Sequence, residues 1–173
     1  MTYLLVLVGF LFFAGVAMCL NEGLWNNTVL LLLVLISGLA GVTAGVPLGS
    51  MLLEQSGKGE NFAWYFVFAG VWGTFSVTLL VLRIVADKAS NVRIRFLPVV
   101  DKIGGILMGL FVAVMLSSFA AYTLLKIPVE AGEWKKKDAS AAVRGYFGNA
   151  ATPFHTVVRK FVKAEDIDSR FYR

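Results

Sequence analysis

Apolar residues fall into four long blocks separated by short polar segments: Tyr3–Leu20, Thr28–Leu53, Phe62–Val85 and Ile103–Leu125. A helix needs roughly 20 apolar residues to cross the hydrocarbon core of a bilayer, and each block meets or approaches that length. Arg83 is the one charged residue inside them, near enough to the end of its block for its stem to carry the charge outward. The pattern predicts an all-α integral membrane bundle of four transmembrane helices over residues 1–125. A basic tail with a C-terminal amphipathic helix follows over residues 126–173. The first block has no Lys or Arg before its apolar core, so it reads as a retained helix and not as a cleaved signal. Tyr3, Trp25, Trp64, Tyr65 and Tyr122 fall near the predicted ends, where an amphipathic ring prefers the headgroup zone. Trp72 falls in mid-block and is expected to pack against another helix. Pro47 lies inside the second helix and predicts a bend near Gly45-Val46-Pro47.

Two blocks carry small residues at every fourth position. Ser37, Gly41, Gly45 and Gly49 form one stripe in the second helix; Gly105, Gly109, Ala113, Ser117 and Ala121 form another in the fourth. Residues spaced by four share a helix face, and a face without large side chains lets two backbones approach closely in lipid. The two stripes are therefore expected to be helix-packing surfaces, and to pack against each other. No Asp, Glu, Lys or His lies inside the blocks. Proton relays and charge-coupled transport need such groups at membrane depth, so the chain is not expected to be an ion-coupled transporter by itself.

The tail is different material. Trp134-Lys135-Lys136-Lys137 is a basic cluster beside an aromatic ring. Thr152-Pro153 has the form of an N-cap followed by proline at the first helical position, predicting a short helix from there. Phe154, Val157, Val158, Phe161 and Val162 then share one face, with Arg159, Lys160 and Lys163 opposite. Such a helix suits docking on an anionic membrane surface or packing on a partner protein, and both readings stay open.

Composition adds limits. Of 173 residues 58% are hydrophobic and only 16% charged, with a net charge of +5 spread over the segments that flank the blocks. That is too little focused charge for a nucleic-acid interface, and none is expected. One cysteine, Cys19, and one histidine, His155, cannot build a zinc site of the Cys/His kind within one chain. No metal or cofactor is expected. Gly57-Lys58 lacks the first glycine and the following Ser or Thr of a phosphate loop. No nucleophile, base and oxyanion donor come together in the sequence, so no catalytic residues are assigned and the chain is not expected to be an enzyme. Asp101, just before the fourth block, is expected to cap that helix.

The run Asp101-Lys102-Ile103-Gly104-Gly105-Ile106-Leu107-Met108-Gly109 resembles the opening of the last helix in the CvpA (colicin V production protein) family, Asp-x-x-x-Gly-x-x-x-Gly. Length and helix count over residues 3–125 are similar too. The turn between the first two helices has Gly23 but no basic residue, a departure from the family pattern. The resemblance implies a multi-pass protein of the bacterial inner (plasma) membrane. It also implies a non-enzymatic role in bacteriocin production or export and envelope physiology, exercised with other membrane components. An accessory subunit of a larger membrane complex, or a homo-oligomeric channel, are the alternatives left open by the residues. Partners are thus the lipid bilayer and other membrane proteins or further copies of the chain. Basic residues in and beside the connection Ala86–Lys102 favour its cytoplasmic placement, although the tail carries ten Lys and Arg of its own.

Overall fold

A computed structural model describes residues 2–19, 22–57, 62–89, 97–126 and 137–162. They form five helices: α1 (Thr2–Cys19), α2 (Leu24–Ser56), α3 (Ala63–Ala89), α4 (Pro98–Lys126) and α5 (Lys137–Phe161). The first four coincide with the apolar blocks, extended at their ends. Helix α4 starts at Pro98, five residues ahead of its block, because proline suits a first helical position, where no amide hydrogen is needed. Helix α2 runs continuously through Pro47 and ends at Gly57, whose φ of 62° gives the left-handed turn that glycine adopts without a β-carbon clash. The structure thus shows an all-α membrane bundle: α2, α3 and α4 are long and apolar enough to cross a membrane, and α1 contributes the shorter apolar stretch Val8–Ala17.

The glycine stripe of α2 meets α3. A β-carbon on Gly45 would stand 2.6 Å from the Val71 α-carbon, and one on Gly49 would stand 2.6 Å from the Phe66 carbonyl oxygen. Gly70 of α3 completes this seam, where backbone lies on backbone. Because later α2 residues meet earlier α3 residues, the two helices are antiparallel. The stripe of α4 meets α1 instead: Gly15 lies on Ala113, and Cys19 on Gly109. The expected pairing of the two stripes with each other is therefore corrected. Helices α2 and α4 are in contact and parallel, and the Phe119 ring of α4 lies against Gly38 and Gly41.

Between them sits an aromatic core. Phe75 stacks on Phe119 at 4.6 Å between ring centres, Trp72 approaches the same ring at 5.2 Å, and Phe154 of α5 meets it edge-on at 5.1 Å. Trp72 thus packs against another helix, as its mid-block place predicts. Val42, Val46, Val71, Tyr122, Leu124 and Val158 surround these rings. The opposite faces of the helices show Val77, Leu80 and Val81 on α3 and Ile106, Leu107, Leu110 and Phe111 on α4, all exposed. A surface so continuously apolar is matched to lipid. Arg83 donates through Nε to Asp87 at 3.3 Å near the end of α3, which offsets its charge at the membrane boundary.

Helix α5 differs most from expectation. It begins at Lys137, and Pro153 lies inside it; Thr152 is a mid-helix residue whose Oγ1 donates to the Gly148 carbonyl, so it is no N-cap. The polar Ala-rich stretch 138–142 forms the first turns of the helix.

Candidate functional site: an interhelical clasp

The family-like run at the start of α4 is consumed in one compact junction between α1, α2 and α4. Helix α2 begins after Gly23 with no capping side chain of its own, which leaves its first amides unsatisfied. Asp101 supplies the missing acceptor from another helix: its Oδ1 accepts the Leu24 amide hydrogen at 2.9 Å. The carboxylate also sits at the positive end of the α2 dipole. The expected cap on α4 is thus corrected: Asp101 lies one turn inside that helix, which starts at Pro98, and caps α2 instead.

One turn along α4, Gly105 faces the end of the α1–α2 turn, where a β-carbon would meet the Glu22 carbonyl oxygen at 2.8 Å. A further turn along, Gly109 faces Cys19, where a β-carbon would come within 2.6 Å of the cysteine β-carbon. Between the two glycines lies Asn27, fully buried. Its Nδ2 donates to the Cys19 carbonyl at 3.0 Å and to the Gly105 carbonyl at 2.8 Å. Cys19 is the last residue of α1, and its carbonyl, beyond the reach of the helix's own amides, also accepts the Glu22 amide at 3.2 Å. Asn27 therefore closes α1 from α2, as Asp101 closes α2 from α4. The fourfold spacing of Asp101, Gly105 and Gly109 puts an acceptor and two β-carbon-free positions on one face. Such a face can hold a helical hairpin by its turn. Glu22 is engaged beside it, accepting from Asn26 Nδ2 at 2.6 Å.

The remaining candidate positions are distributed otherwise. Gly41, Gly45 and Gly49 lie on α3, and Ser37 is buried on α2. Ala113 faces α1, and the Ser117 hydroxyl donates back to the carbonyls of Ala113 and Val114. In the tail, Trp134, Lys135 and Lys136 lie outside the described residues, and Lys137 opens α5. Phe154 and Val158 are fully buried in the core of this same chain, whereas Phe161 is 73% exposed. The apolar face of α5 thus docks on the bundle itself through Phe154 and Val158, and Phe161 is no part of that contact. Pro153 has no amide hydrogen, and the next amide, of Phe154, donates to Ser118 Oγ of α4 at 3.0 Å.

Sequence reasoning misses Asn27 and Gly38. By its polarity Asn27 belongs to the connection between two apolar blocks; a carboxamide in the first turn of an apolar helix, following Gly23, is the available signal. Among the described residues no three His, Cys, Asp or Glu side chains gather as metal ligands.

A family model described as "Colicin V production protein" matches residues 4–151, which takes in all four apolar helices and most of α5. No curated protein and no solved structure matches the chain significantly.

Proposed function

We propose that this chain, which belongs to the colicin V production protein family, serves bacteriocin production or export as a non-enzymatic scaffold in the bacterial inner membrane. The observation that carries this reading is the clasp. Asp101, Gly105 and Gly109 spend their chemistry on holding α1 and α2 to α4, so the motif specifies an assembly and not a reacting centre. Helix α1, at 18 residues about 27 Å long, is the fourth crossing. The connection after α3, with Arg93 and Arg95, then lies in the cytoplasm and the tail on the other side. The exposed faces of α3 and α4 offer flat apolar surface to the helices of other envelope components as well as to lipid.

The test is removal of the gene from a colicin V-producing strain, with released bacteriocin activity measured against cell-associated activity. Loss of release, restored by the wild-type chain, supports the reading. Unchanged release sinks it.

A further inference from the structure

Helix α5 ends in two cations beside the hydrocarbon of the bilayer, and its apolar face runs past the edge of the bundle. The Phe154 ring closes on Gly38, and the Phe154 amide donates to Ser118. Gly38 lies about 21 Å along α2 from Leu24 and about 27 Å from Ser56. Ser118 lies about 13.5 Å along α4 from Gly109, which is level with the end of α1 at Cys19. Both measures set Phe154 near the middle of a hydrocarbon slab roughly 30 Å thick. Ala151, Phe154 and Val158 are buried on the bundle and Val162 is half-buried there, so α5 lies against it over about 16 Å. Phe161 is two turns beyond Phe154 on the same face, yet it is 73% exposed.

The opposite face of α5 ends in a small polar patch. Thr156, Arg159 and Lys160 are exposed, and spacings of three and four from Thr156 bring both cationic stems over one spot on the helix surface. Arg159 lies about 7.5 Å along α5 from Phe154 and Lys160 about 9 Å. The slab extends about 15 Å from its middle, so the stems, extended toward the nearer surface, cover most of the remaining distance to the phosphates that border it. Thr156 Oγ1 donates to the Thr152 carbonyl at 2.9 Å and keeps its lone pairs for an incoming hydroxyl.

We propose that this end of α5 binds an anionic phospholipid. Arg159 and Lys160 hold its phosphate, Thr156 accepts a hydroxyl of a headgroup such as glycerol, and an acyl chain lies along Phe161. Three features select this occupant. The charge is complementary, and a guanidinium matches phosphate oxygens with two parallel hydrogen bonds. The patch borders the bilayer in which the chain is embedded, where phospholipid is the abundant phosphate. An exposed aromatic ring beside two cations fits a partner that is apolar at one end and anionic at the other, which a free phosphate is not. A zwitterionic lipid carries its own ammonium beside the phosphate and gains less from the two cations. This goes beyond a scaffold role and stands or falls separately from it, because its readout needs no bacteriocin.

The test uses the full-length chain in nanodiscs of phosphatidylcholine that hold a trace of photoreactive phosphatidylglycerol or, in a parallel sample, of photoreactive phosphatidylcholine. Adducts are mapped by mass spectrometry, and the yield on residues 154–162 is compared between the two lipids. Phosphatidylglycerol labels this segment in excess, and added salt reduces the excess; neither observation needs a variant. Arg159→Gln together with Lys160→Gln lowers the ratio by about thirty-fold, about five-fold for each cation near an anionic lipid. Arg159→Lys together with Lys160→Arg retains most of it. Cations in the last turn of α5 also suit the negative end of its dipole, but that role is blind to the lipid offered. Equal labelling by the two lipids overturns the proposal and leaves the face to a protein partner. So does an excess of phosphatidylglycerol that is indifferent to the two cations.

Discussion

Replacing Gly109 by alanine loads the clasp at its tightest point. The new β-carbon would stand 2.6 Å from the Cys19 β-carbon and 3.3 Å from Asn27 Nδ2. Carbon atoms pack best at about 3.5–4.0 Å, so α1 and α4 must separate by roughly 1 Å. Overpacking of this kind costs about 1–3 kcal/mol. The hydrogen bonds from Asn27 to Cys19 and Gly105 bridge the same gap and stretch with it, which places the steric cost in the upper half of that range. Alanine returns up to about 1 kcal/mol through its better helix propensity, and the net loss is about 1–2 kcal/mol. Cys19→Gly alone destabilises too, because it removes a buried thiol and introduces glycine near a helix end. The two changes relieve each other, since the β-carbon that Gly109→Ala strikes is the one that Cys19→Gly removes. Unfolding free energies from detergent titration of wild type, both single variants and the double variant form a complete cycle. The double variant is expected to be more stable than the sum of the singles by about 1–2 kcal/mol. Additivity to within about 0.5 kcal/mol, the value for independent sites, would refute the contact.

The same geometry sets four further outcomes. Asp101→Ala removes the cap on α2 and lowers stability by about 0.5–2 kcal/mol, while Asp101→Asn keeps an acceptor and loses much less; thermal melts in detergent rank them. Asn27→Leu removes the hydrogen bonds to the Cys19 and Gly105 carbonyls and costs about 0.5–1.5 kcal/mol for each, more than the nearby exposed change Asn26→Leu in the same melts. Phe154→Ala empties the site between Gly38, Phe119 and Tyr122, costs about 3–5 kcal/mol and makes α5 protease-sensitive, whereas Phe161→Asp leaves its protection unchanged. With Cys19 replaced by Ala, cysteines at Gly15 and Ala113 join within one chain, and cysteines at Gly45 and Gly109 do not; migration on non-reducing gels separates the cases.

The apolar blocks locate α1 to α4 because membrane solvation acts on each segment separately, and a run of twenty apolar residues is visible without its neighbours. Fourfold spacing likewise marks Gly45, Gly49, Gly105 and Gly109 as places where backbones come close. It does not say which backbone arrives, because a flat face accepts any flat partner. Gly70 on α3 and the α1–α2 turn are the partners that the whole bundle selects. The same limit hides the role of Asp101. An acid before an apolar block looks like a cap for that block's own helix, yet Leu97-Pro98 starts α4 one turn earlier and frees the carboxylate for α2. At Thr152-Pro153 a local signature is overridden: Ser118 across the interface accepts the Phe154 amide, and the helix continues through Pro153. Tertiary hydrogen bonds of this kind leave no periodic trace.

In the proposed role Asp101 acts by holding α2 to α4, and not by its carboxyl chemistry. The most direct measurement replaces that hydrogen bond with a covalent one. A β-carbon on Gly23 would lie 3.2 Å from Asp101 Cγ, so cysteines at Gly23 and Asp101 stand close enough to bridge in a Cys19→Ala background. Colicin V activity released by producing cells is measured for this pair, and for Asp101→Cys alone, after oxidation and after reduction. The account predicts low release from the single variant and from the reduced pair, and release restored towards wild type in the oxidised pair. A bridge that forms without restoring release, in a chain that release otherwise requires, would contradict it and assign the carboxyl group a chemical role.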